Sequence, residues 1–142
     1  MNHCKFRATD NWRLTTNNCM DTGKLAIGMT AAAFLGFGAV SMFKPEILRK
    51  VGVRATNATG RTELRAMYGG MELGFGVFFA MAARNPEWRR PALAAIACAV
   101  GALGVTRIAT SVAEGADPLS YALAAPEIAA ATLAAVALAT KG

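Results

Sequence analysis

The sequence is poor in the residues that carry most protein chemistry. It has one histidine, His3, and three cysteines, Cys4, Cys19 and Cys98, with no closely spaced pair among them. Zinc sites usually show pairs such as C-x2-C, so no metal box is indicated. One histidine in a polar tail gives no ligand set for haem or chlorophyll. No phosphate-cradling loop, nucleophile–base pair or catalytic signature stands out. The expectation is therefore a protein that is not an enzyme and holds neither cofactor nor metal. Charged residues make up only 17% of the 142, and the net charge of +6 is not gathered into a basic patch interleaved with aromatics, which argues against nucleic-acid binding. Residues 1–22 contain no apolar h-region, so they do not read as a signal peptide. They read as a polar N-terminal tail, with Met20 as an alternative start that would remove Cys4 and Cys19.

What the sequence does have is hydrocarbon in long runs. Hydrophobic residues reach 54% and mean hydropathy is +0.34, too apolar for an ordinary soluble domain. The runs are continuous rather than striped, and each is long enough to cross a bilayer as a helix. Four are expected: Lys24 to Phe43, Glu63 to Ala83, Pro91 to Ala113 and Leu119 to Thr140. Residues 23–142 then form an all-α domain, an integral membrane four-helix bundle in up-down order. Between the first two spans, Pro45 to Arg54 reads as a short amphipathic segment, with Ile47, Leu48 and Val51 against the membrane and Arg49, Lys50 and Arg54 toward headgroups.

The second span organises the rest. Arg65, Gly69, Glu72 and Gly76 recur at helical spacing on one face, bordered by Tyr68. Gly70 and Gly74 form a G-x-x-x-G on the other side, and Gly28, Ala32 and Gly36 a similar stripe on the first span, both suited to close packing in lipid. Gly101, Gly104, Arg107 and Ser111 share a face of the third span. Thr62 is expected to cap the second helix; Asn57-Ala58-Thr59 has the form of a glycosylation sequon but is too short a pattern to count. Pro126 precedes Glu127 inside the fourth span and marks an expected kink.

An ionised side chain at mid-membrane needs a partner, since a lone charge there costs about 2.5–3.5 kcal/mol on insertion scales. Call the end reached by the connection after the first span side B and the opposite end side A. At 1.5 Å per residue, Glu72 lies roughly 15 Å from side B, Arg107 roughly 9 Å and Glu127 roughly 13 Å. The three are therefore expected to meet in a buried cluster, with Arg65 and Tyr68 beside it. Two uses of that cluster stay open: a network that fixes helix register, or a polar pocket or proton site opening toward side B. The excess of Lys and Arg on side A places both termini inside.

The segment Glu63-Leu64-Arg65-Ala66-Met67-Tyr68-Gly69-Gly70, followed by Glu72-Leu73-Gly74-Phe75-Gly76, resembles the second helix of an uncharacterised family of small bacterial four-helix membrane proteins, domain of unknown function 4345. Arg107, the turn at Gly115, Asp117 and Pro118, and Glu127 look similar as well, and the resemblance covers roughly residues 24–140. It implies the fold and no reaction. The expected role is a structural or accessory subunit of a larger complex in the bacterial inner membrane, with the bilayer and other membrane subunits as partners. The alternative is a binding or transport module for a small polar solute or proton, using the same cluster.

Overall fold

The computed structural model describes residues 11–140, with side chains from Thr22 onward. His3, Cys4 and the Lys141–Gly142 exit lie outside the described residues, as do residues 1–10 of the expected tail, whereas its residues 11–22 are the helical start of α1. Four helices carry the fold: α1 Asn11–Phe43, α2 Ala58–Arg84, α3 Pro86–Glu114 and α4 Pro118–Ala139. A 3₁₀ segment, Pro45–Val51, follows α1. Each helix holds a stretch long and apolar enough to cross a membrane. Short connections make successive helices antiparallel, giving a multi-pass membrane bundle.

The helix ends follow local chemistry more closely than hydropathy. α2 begins at Ala58, five residues before the apolar run, because the Asn57 side chain accepts a hydrogen bond from Gly60 N at 2.8 Å and closes the first turn. Thr62 is not the cap: its hydroxyl donates to the Ala58 carbonyl inside the helix. α3 likewise begins at Pro86, where Asn85 accepts from Glu87 N at 3.1 Å and proline fills the first helical position. The stretch expected as a polar connection, RNPEWRR, therefore lies mostly within α3. Gly115, at φ 64°, ends that helix in the left-handed conformation.

The 3₁₀ segment is amphipathic. Pro45 and Leu48 are buried, and Arg49 and Lys50 face outward. Two π-helical turns interrupt the long helices, Ala66–Met71 in α2 and Ile96–Val100 in α3.

The apolar core is off-centre. Ile27, Ala31, Phe79, Ala82, Ala92, Leu93, Ile96, Val100, Ala134 and Ala137 form one buried cluster, all in the half of the bundle nearer side A. Phe34 meets Phe79 edge-on at 5.6 Å and Phe78 meets Trp88 at 6.0 Å, which ties α1 to α2 and α2 to α3. Toward side B the helices pair off. α2 packs on α1, where a Cβ on Gly76 would lie 2.7 Å from Leu35 and one on Gly38 would lie 2.8 Å from the Leu73 nitrogen. α3 packs on α4 through Gly101 against Ala131 and Gly104 against Ile128. Among the described residues α2 has no extended seam with Gly101–Glu114 or with α4.

Candidate functional site

The charged residues stand just past the core. Gly38, Glu72, Arg107 and Glu127 each lie seven residues, two helical turns, beyond the nearest core residue of their own helix, namely Ala31, Phe79, Val100 and Ala134. They form one layer across the bundle, on the side-B flank of the hydrocarbon core.

Within that layer the expected cluster of three is a pair and a separate carboxylate. Arg107 Nε donates to Glu127 Oε2 at 3.1 Å and Nη2 to Oε1 at 2.9 Å, a two-pronged bond across α3 and α4. The planar guanidinium matches the carboxylate fork, the geometry in which such pairs are strongest. Glycine makes the approach possible: a Cβ on Gly104, one turn before Arg107, would lie 3.1 Å from the Glu127 Cβ. The pair is only partly sheltered, with side-chain exposures of 30% for Arg107 and 16% for Glu127.

Glu72 does not reach Arg107. It is half-buried, on the α2 face that meets α1, where its Cβ would stand 3.0 Å from a Cβ on Gly38. Depth alone made the three equivalent, but depth ignores the separation of the bundle into two helix pairs. Arg107 and Glu127 share one seam and Glu72 lies on the other. Side chains on a helix also lean toward its N-terminus, so on antiparallel α3 and α4 Arg107 and Glu127 lean toward each other. Among the described residues Glu72 has no ion pair.

Arg65 and Tyr68 stay outside. Both are exposed, Tyr68 at 37%, whereas Gly69 and Gly76 are buried. The π turn at Ala66–Met71 explains the parting. A π turn admits one extra residue, so residues before it are rotated about 100° from the face that an unbroken α-helix would give. The expected alignment of Arg65 with Glu72 assumed an uninterrupted 3.6 period.

The small-residue stripes divide in the same way. Gly69, Gly76, Gly101 and Gly104 serve contacts inside the bundle. Gly70 is exposed, and a Cβ on Gly74, Gly28 or Gly36 would meet nothing within 4 Å. The second face of α2 and the Gly28, Ala32, Gly36 stripe of α1 therefore do not pack against this chain. Each carries a shallow outward groove, one along Lys24, Leu25, Gly28, Met29 and Ala32, the other along Met71, Gly74, Phe75 and Phe78.

Two positions gave no warning in the sequence. Gly38, the residue of α1 that admits Glu72, lies two residues past Gly36 and off the obvious Gly28-Ala32-Gly36 stripe. Ser41, one turn later, is fully buried and its hydroxyl finds no hydrogen-bond partner among the described residues. A serine in an apolar run is too common in membrane helices to single out. Cys98 is exposed on α3.

Comparison with curated proteins and with solved structures returned no match. The sequence profile of one family, described as "Domain of unknown function (DUF4345)", matches residues 23–138, which take in all four spans, the Arg107–Glu127 pair and Glu72, and the chain belongs to that family.

Proposed function

We propose that this small multi-pass membrane protein is a non-enzymatic accessory subunit, seated in the bacterial inner membrane with both termini in the cytoplasm and bound to larger membrane partners. The observation that carries this reading is the pair of outward small-residue faces, Gly28-Ala32-Gly36 on α1 and Gly70-Gly74 on α2, neither used by the chain's own bundle. In lipid the hydrophobic effect does not drive helices together. Association comes from close van der Waals packing, which small residues permit. The Arg107–Glu127 pair fits a structural role, since each partner is satisfied by the other across one helix seam.

The test is purification of the native protein in mild detergent. The wild type is expected to migrate in an assembly much larger than 14.8 kDa plus its micelle. Gly28→Leu and Gly74→Leu, at positions with free space around them, are expected to release it while leaving its own melting transition in place. A wild-type protein that migrates alone, or variants that remain in the assembly, would refute the reading.

A further inference from the structure

Glu72 differs from every other described acidic side chain. Glu46, Glu63, Glu87, Glu114 and Asp117 are exposed. Glu127 is held by Arg107 through two hydrogen bonds. Glu72 alone is half-buried within a membrane span, pressed against the α1 backbone at Gly38, with no ion pair among the described residues.

The groups around it do not supply a counter-charge. α1 carries no ionisable side chain between Lys24 and Lys44. On α2 itself, Tyr68 and Arg65 follow toward side B and both are exposed, with Arg65 turned off the face by the π turn. Lys44, Arg49 and Lys50 stand exposed at the end of α1 and on the 3₁₀ segment. α3 offers Arg107, already engaged, and α4 offers only its partner Glu127, a like charge. A carboxyl in hydrocarbon with only a second carboxylate for company is accommodated best without its charge.

We propose that Glu72 is a proton-binding site, a carboxyl held in the membrane as the neutral acid while its neighbour Glu127 keeps its charge for Arg107. Two arrangements of the structure distinguish the two glutamates. One is the separation into helix pairs, which gives the arginine to one seam only. The other is the glycine at position 38, which brings Glu72 against bare backbone. The proposal goes beyond the accessory-subunit reading and does not depend on it.

Dicyclohexylcarbodiimide tests it on the full-length protein in membrane vesicles. The reagent partitions into hydrocarbon and reacts with carboxylic acids rather than carboxylates. The acid proton moves to a carbodiimide nitrogen as the carboxyl oxygen bonds to the central carbon. An oxygen-to-nitrogen acyl shift then leaves a stable N-acylurea, with no group lost. Peptide mass mapping is expected to find one adduct, on Glu72, absent in Glu72→Gln. Its rate of formation, scanned between about pH 6 and pH 9, is expected to fall as pH rises and the acid form is lost. Glu127 is expected to stay unmodified in the wild type and to become reactive in Arg107→Gln. A water-soluble carbodiimide is expected to label Glu63 and spare Glu72. The proposal is overturned if folded wild-type protein gives no adduct across that range, if Glu127 is labelled as readily as Glu72, or if the water-soluble reagent reaches both Glu63 and Glu72 equally.

Discussion

The α1–α2 seam makes the sharpest quantitative prediction, through two glycines on one helix. Gly36 and Gly38 lie two residues apart on α1 and face opposite ways. A methyl added at Gly36 meets nothing within 4 Å, while one at Gly38 would lie 2.8 Å from Leu73 N, 3.0 Å from Glu72 Cβ and 3.1 Å from Gly69 O. Two of those three atoms belong to the α2 backbone, so no rotamer change relieves the clash and the helices must move apart. Overpacking of this kind costs about 1–3 kcal/mol. Replacing glycine by alanine within a helix returns about 1 kcal/mol at either position. In the difference between Gly38→Ala and Gly36→Ala that propensity cancels, and the seam alone remains. Gly38→Ala is expected to be the less stable of the two by about 1–3 kcal/mol, roughly a 5- to 150-fold change in the unfolding constant. Denaturant titration of both variants in the same detergent, followed by circular dichroism, measures it. Equal stabilities would mean that α1 and α2 do not approach at Gly38, and the placement of Glu72 against α1 would fall with them.

Two further predictions follow from the charged layer and the helix ends. Arg107→Gln leaves a partly sheltered carboxylate without its two charged hydrogen bonds and is expected to cost about 1–3 kcal/mol; Arg107→Gln with Glu127→Gln is expected to recover part of that loss, and thermal melts of both variants decide it. Gly115→Ala places a side chain at φ 64° and is expected to lose about 1–2 kcal/mol, with Gly115→Asn losing less, read from the same melts.

Run length and the continuity of apolar residues made the four spans legible in the sequence, because a membrane helix satisfies its backbone within itself and must be apolar for its whole crossing. The pairing of Arg107 with Glu127 was legible for a related reason: a charge at that depth has few ways to be stabilised. Helix beginnings were not, since Asn57 and Asn85 act through single hydrogen bonds in polar stretches that hydropathy treats as loop. The face carrying Arg65 was misassigned because a π turn leaves no mark in the pattern of apolar residues. Glu72 was drawn toward Arg107 because depth along an axis is readable from residue counts, whereas the lateral grouping of helices into pairs is decided by which glycines let backbones touch.

The unequal lengths of the helices have a consequence for the host membrane. α2 and α3 run for 27 and 29 residues, about 40 and 43 Å at 1.5 Å per residue, against about 30 Å of hydrocarbon. The surplus is polar at opposite faces, Thr59 to Arg65 at the start of one helix and Glu87 to Arg90 at the start of the other. A thicker bilayer is met by drawing these overhanging ends closer to the lipid, and a thinner one by letting them stand farther out, so the sealed apolar half keeps its fit to membranes that differ by several ångströms.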